Sequence, residues 1–449
     1  MKTLLLILLF VFSNSNAQLP NYNTYLLANI NNYPGYSGCW GYVTNDNKEY
    51  ALLGCFNGTS VVNITDSSNI HEVDFVPGAN SAWREIKTYS HYAYVVSEGT
   101  NSKLQIIDLQ YLPDSVSLIK TWNYSGYTQA HNISQSGPYL YLSGGNASPN
   151  GGVQIIDVSD PVNPVRRGFN SVRYAHDCTV KNDTIWSMNI NNQRLSILNA
   201  NNKDSIFEIR NFTTLQSSPH NCAFTKDNKF VYISYENTDP GMIDIWNIED
   251  IDNITYIRSW QPTGITTSIT HNVEIYDTIA IVAHYTAGIR IINISDPVNP
   301  QEIAWYDTRP QDNSTNYFGC WSVYKFPSGK IIGSDVSNGL FVIKTTFATD
   351  IKNSSSEIKS FELKQNYPNP FNPSTNLEFG ISKSGFVSLK IYDLTGKEVA
   401  VLVNEIKSAG NYSVNWSASE YASGIYYYKL SVRTKTGDFS DTKKMILLR

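Results

Sequence analysis

Short apolar stretches separated by polar turns dominate the chain, and two of them are nearly identical. Ile155-Ile156-Asp157-Val158-Ser159-Asp160-Pro161-Val162-Asn163-Pro164 is matched by Ile291-Ile292-Asn293-Ile294-Ser295-Asp296-Pro297-Val298-Asn299-Pro300. Weaker copies end apolar strands in Asn or Asp at Val61-Val62-Asn63, Ile106-Ile107-Asp108, Ile197-Leu198-Asn199 and Ile245-Trp246-Asn247, with Val342-Ile343-Lys344 as a last relative. The anchors at 63, 108, 157, 199, 247, 293 and 344 recur roughly every 47 residues, the length of a four-stranded propeller blade.

A second series runs ahead of the first. Trp40, Trp83, His131, His176, His220, His271 and Trp321 each precede one anchor at similar spacing. Both series count seven, which predicts seven blades. Each blade reads as an inner strand after the His/Trp mark, a second strand such as Phe230-Val231-Tyr232-Ile233-Ser234, the anchor strand, and an outer strand. The Asp-Pro-x-Asn-Pro segments read as turns, with Pro fixing φ and Asn or Asp capping local backbone. The seventh copy lacks an outer strand of its own. Residues 24–30 form a spare strand, expected to complete that last blade and close the ring.

Residues 347–360 are polar and read as a linker. Strands alternate again across 361–449, with turns every eight to twelve residues, which predicts a small immunoglobulin-like β-sandwich. The fold expected is therefore all-β: a seven-bladed β-propeller over 18–346, then the sandwich. At the other end, Met1-Lys2, the apolar run from Leu4 to Phe12 and the small-x-small site Ser15-Asn16-Ala17 read as a signal peptide over 1–17. No later stretch approaches the roughly 18 apolar residues of a membrane-spanning helix.

Composition narrows the partners. A formal net charge of -5 and a pI near 5.8 argue against nucleic acid and anionic lipid, which require clustered Lys and Arg. The chain holds 30 Tyr, fit for half-buried strands, and its Asn and Ser suit turns. Five cysteines follow no metal-binding spacing and read chiefly as buried apolar thiols. A bridge between Cys39 and Cys320 is the pairing to check, because the first and last blades become neighbours on closure.

If the seven marks are equivalent, His131, His176, His220 and His271 lie at one height around the channel, with Trp321, Trp40 and Trp83 completing the ring. The ends of the second strands add Glu98, Glu236, His284 and Asp335. Imidazoles and carboxylates converging there would suit a divalent metal. The competing account is packing, with each imidazole bonded between blades. No Gly-x-Ser-x-Gly, phosphate-loop or His-Glu-x-x-His motif occurs. Two functions follow: an exported binding protein whose extracellular ligand, such as a glycan, uses the channel mouth, or a metal-dependent hydrolase or lyase. At least three of these side chains converging on one point is the requirement of the second.

The Ile-Ile-Asp-Val-Ser-Asp-Pro-Val-Asn-Pro segments resemble LVIVD repeats. The order of Cys39-Trp40-Gly41, Asn57-Gly58-Thr59-Ser60, Trp83-Arg84-Glu85-Ile86-Lys87, His271-Asn272 and Tyr285-Thr286-Ala287-Gly288-Ile289-Arg290 resembles the choice-of-anchor B proteins. That resemblance implies an exported propeller and no particular activity. Tyr367-Pro368-Asn369-Pro370-Phe371, Ile391-Tyr392-Asp393-Leu394-Thr395-Gly396-Lys397, Ala409-Gly410-Asn411-Tyr412, Ala422-Ser423-Gly424-Ile425-Tyr426 and Lys443-Lys444-Met445 resemble the type A sorting domain of type IX secretion. This second resemblance implies bacterial export through the periplasm, recognition by the secretion machinery at the outer membrane, and release or attachment at the cell surface.

Overall fold

The computed structural model describes residues 20–237, 240–347, 361–366, 368–382, 385–407, 410–434 and 437–448. The expected signal peptide and nearly all of the expected linker lie outside those residues. The chain divides into two compact units, Met1–Thr349 and Asp350–Arg449. Among the described residues the only helical segments are two single turns, Pro149–Gly151 and Ile190–Asn192. No helix there is long and apolar enough to cross a membrane.

Among its described residues the first unit holds seven antiparallel sheets, six of four strands and one of five, and in each the four main strands run in inner-to-outer order. Their inner strands are Tyr36–Val43, Arg84–Tyr89, Asn132–Ser136, Asp177–Lys181, Pro219–Phe224, Val273–Tyr276 and Cys320–Lys325. Each touches the next, and Cys320–Lys325 returns to Tyr36–Val43, so the sheets form a closed ring around a channel. Closure uses the N-terminal strand Thr24–Ile30, which pairs antiparallel with Gly339–Thr345 and becomes the outer strand of the last sheet. A two-residue strand, Asn21–Tyr22, adds to the outside of the neighbouring sheet.

The anchor residues explain the repeat. Side-chain oxygens of Asn63, Asp108, Asp157, Asn199, Asn247 and Asn293 each accept the backbone N–H two residues on, at 2.9–3.0 Å. The anchor thus ends its strand by supplying the acceptor a turn needs. In the two strongest copies Asp160 and Asp296 hold the following turn in the same way, accepting from Val162 and Asn163 and from Val298 and Asn299. The apolar pairs before the anchors, such as Ile155-Ile156 and Ile291-Ile292, are fully buried, one side chain toward each neighbouring sheet. Every pairing of a third with a fourth strand carries a register shift. Such bulges increase twist, which turns the outer strands away from the channel axis.

The second unit is a sandwich of a three-stranded sheet (Glu362–Leu363, Ser374–Ile381, Gly410–Ser417) and a four-stranded one (Glu398–Lys407, Gly385–Tyr392, Gly424–Thr434, Gly437–Leu447). Alternate residues such as Val387, Leu389, Ile391, Tyr428, Leu430 and Val432 face one buried core. The Asp-Leu-Thr-Gly-Lys motif is a turn: Asp393 Oδ1 accepts from the backbone of Thr395 and Lys397, and Gly396 takes a φ of +81°.

Candidate functional site

The anchors give all seven sheets a common origin, because each pairs with a residue at the start of its second strand: Tyr50, one place after the first residue, and Tyr92, Tyr139, Thr184, Phe230, Ile279 and Lys330, each the first. Counting from there, His131, His176, His220, His271 and Trp321 occupy one register position on five consecutive sheets. The same position in the first two sheets is held by Ser37 and Arg84, not by Trp40 and Trp83. A bulge between Tyr36 and Cys39 shifts the frame of the first sheet, a displacement that spacing in the sequence hides. Trp40 instead lines the channel three residues beyond Ser37, with Lys87 Nζ 3.2 Å from its ring centroid. Trp83 is 42% exposed at the rim, its ring 6.4 Å from His131.

The five rings form a continuous row. Centroids stand 4.0 Å apart for His131 and His176, 4.8 Å for His176 and His220, 4.1 Å for His220 and His271, and 4.3 Å for His271 and Trp321. Hydrogen bonds set the imidazole tautomers. His220 Nδ1 lies 3.2 Å from the His271 carbonyl, and His271 Nδ1 lies 2.6 Å from the Trp321 carbonyl. A carbonyl only accepts, so Nδ1 carries a proton in both rings; His271, held neutral by burial, therefore presents a lone pair at Nε2.

The Nε2 atoms of three imidazoles face a carboxylate. Glu236 Oε2 is 3.7 Å from Nε2 of both His176 and His220, and Oε1 is 3.9 Å from Nε2 of His271. Tyr285 Oη donates to Glu236 Oε1 at 2.6 Å and fixes its direction. His271 Nε2 is buried without a hydrogen-bond partner. Two overlapping trios result, His131–His176–His220 and His220–Glu236–His271, each with ligand atoms within 4.8 Å of one another. Donors about 2.1 Å from one ion stand no more than about 4.2 Å apart, and the Glu236–imidazole distances lie inside that limit.

Electrostatics separates the histidines. Burial and neighbouring imidazoles hold His176 and His271 well below the usual imidazole range. Burial pushes His131 the same way, but its Nδ1–H donates to Glu98 Oε1 at 3.0 Å, and that bond with the carboxylate charge leaves it raised. Neutral imidazoles beside a carboxylate are the form that ligates a cation.

The strand-end residues divide. Glu98 and Glu236 reach the histidines; His284 and Asp335 do not. His284 Nδ1 lies 3.0 Å from Ser268 Oγ, and burial, then Arg290, push its pKa down to about 3. Asp335 accepts from Thr308 Oγ1 and from the backbone of Ser337 and Asn338, closing a turn. The residue aligned with Glu98 and Glu236 in the sixth sheet is Tyr285, one place after His284. Aligning the second strands from their anchors would have found it. All five cysteines are free and buried, including Cys39 and Cys320.

Residues 365–447 match the family described as secretion system C-terminal sorting domain, and residues 127–168 and 269–308 match the LVIVD repeat. The chain carries LVIVD repeats and a secretion-system sorting domain. The sorting domain makes it a cargo of type IX secretion, delivered to the cell surface or beyond. No curated protein matches the chain. Among solved structures, a Bacteroides fragilis protein provisionally named a 6-phosphogluconolactonase covers 71% of this chain and 94% of its own, at 12% identity and a TM-score of 0.51. That likeness concerns the propeller-type fold alone. PorZ, a surface component of the type IX secretion system of Porphyromonas gingivalis, covers 93% of this chain and 60% of its own, at 13% identity and a TM-score of 0.45, too loose to bear on role.

Proposed function

We propose that this exported LVIVD-repeat propeller is a metal-dependent binding protein whose channel mouth captures an extracellular ligand on an ion held by His220, His271 and Glu236. One observation carries the reading: the Nε2 atoms of buried imidazoles converge on the Glu236 carboxylate at 3.7 and 3.9 Å, beyond hydrogen-bond distance, and that of the neutral His271 ring has no hydrogen-bond partner. Lone pair facing lone pair in a buried site is repulsive unless a cation stands between. Nitrogen and carboxylate donors suit zinc and its neighbours, and two His with one Glu leave a coordination position open. The Nδ1–H bonds to backbone and the Tyr285 hydroxyl are the outer contacts that orient such ligands.

The ligand would bring an oxygen donor to that position. Trp83 and Tyr317, 42% and 47% exposed, supply apolar ring faces at the rim, and Tyr317 packs edge-on against Tyr285. Aromatic faces around polar groups suit a glycan. The hydrolase or lyase reading has its own support in the Glu98–His131 pair, a carboxylate-oriented imidazole at the end of the row and placed to carry a proton.

Elemental analysis of the purified secreted protein tests the proposal. Near-stoichiometric divalent metal, lost in Glu236→Gln and in His220→Ala, is the expected result. Metal-free protein that takes up no added zinc would overturn it. With metal present, turnover in a glycoside and ester screen that His131→Gln abolishes would decide for the enzyme.

A further inference from the structure

A second place in the same channel carries chemistry that the histidine row does not use. Further along the inner strands lies a cavity of about 220 Å³, lined by Trp40, Glu85, Lys87, Asp177, Asn272 and Glu274 among others. Its walls are rich in acceptors. Glu85 and Asp177 are buried, and Glu274 is half-buried. Asn272, 9% exposed, belongs to this lining and has a buried amide oxygen with no hydrogen-bond partner.

Existing donors do not satisfy the set. Glu85 Oε1 accepts from Trp321 Nε1 at 2.9 Å, and Asp177 Oδ2 from Asn221 Nδ2 at 2.8 Å. Lys87, its ammonium against the Trp40 ring, also lends its charge to Glu85, Asp177 and Glu274, one ammonium against three carboxylates, while Lys181 donates to the Thr225 carbonyl. Burial is the largest influence on Glu85 and Glu274, pushing the first up to about 7 and raising the second. Carboxylates kept this way against the cost of desolvation favour a cationic guest.

A single metal ion is a poor guest. Among the described residues, the groups of three potential ligands within 4.8 Å of one another are the two at the histidines, and neither includes Glu85, Asp177 or Glu274. Acceptors spread this widely need a guest with several separated N–H donors. We propose that the channel cavity binds a small organic ammonium ion, whose N–H groups are accepted by Glu85, Asp177, Glu274 and the amide oxygen of Asn272. This site is independent of the metal proposed at the mouth.

Isothermal titration of the full secreted protein with putrescine, a linear diammonium, tests it, with sodium chloride at matched ionic strength as control. Saturable one-to-one binding that sodium chloride does not reproduce is expected. Glu274→Gln should weaken it by about tenfold or more, as loss of one partner in a buried ionic contact does. Glu85→Gln, nearly isosteric, should act in the same direction and serves as the second variant if the first fails to fold. Glu236→Gln strikes only the mouth and should leave putrescine binding within about twofold, which separates this site from the metal. Absence of binding, or binding unchanged in a folded Glu274→Gln or Glu85→Gln protein, would overturn the proposal.

Discussion

Tyr285 illustrates how single residues decide the histidine site. Its hydroxyl holds the Glu236 carboxylate toward three imidazoles, and it is wholly buried against His271 and Trp321. Tyr285→Phe keeps the packing and removes the donor, so affinity for zinc should fall about 10–100-fold with little change in melting temperature. Competition against a chromogenic chelator measures it. Gly38 acts by having no side chain: a Cβ there would lie 2.3 Å from Glu85 Oε2. Gly38→Ala must displace that carboxylate from Trp321 Nε1 and should cost about 1–3 kcal/mol in urea unfolding. His284 sets a pH response away from the site. Its pKa is about 3 when folded, against 6.5 for an ordinary imidazole, so its share of stability is whole above 6.5 and is lost as pH falls toward 3. Wild type should therefore lose stability on acidification faster than His284→Gln, by up to roughly 1.4 kcal/mol per pH unit in that window. Equal slopes of urea midpoint against pH would refute this.

At the scale of elements, each sheet is held by its anchor turn and by the apolar pair before it. Ile156 is fully buried in the cluster it shares with Tyr94, Ile106 and Leu140. Ile156→Ala should destabilise the body by about 2–5 kcal/mol in chemical denaturation. The closing strand Thr24–Ile30 bears a different load, since it covers the edge of Gly339–Thr345. Removing residues 21–30 should lower the melting temperature and promote association through the bared edge, seen as oligomers in light scattering. The anchors, the turns and this closing strand are legible in sequence because they depend on local chemistry and on a repeat that fails to finish. The bulge in Tyr36–Val43 is not, and it moves Trp40 out of line with the histidines.

For the whole molecule, the export address and the candidate site reside in separate units. A chain lacking residues 361–449 should accumulate in the periplasm with an intact propeller, while fusion of that segment, with a signal peptide, to a reporter should carry the reporter outside; fractionation and immunoblotting distinguish the outcomes. By itself the sequence determined the all-β class, the repeat, the sandwich and the export route, because strand period, turn residues and sorting motifs are local and read in order. It also named the four histidines and Glu236. Only the tertiary structure decided which of the named residues meet. Convergence depends on ring closure and on the register of seven separate sheets, so it brought Glu98, Glu236 and Tyr285 to the imidazoles, turned His284 and Asp335 elsewhere, and set Ser37 and Arg84 where Trp40 and Trp83 were expected. A one-residue shift of register is invisible in spacing but reverses the direction of a side chain.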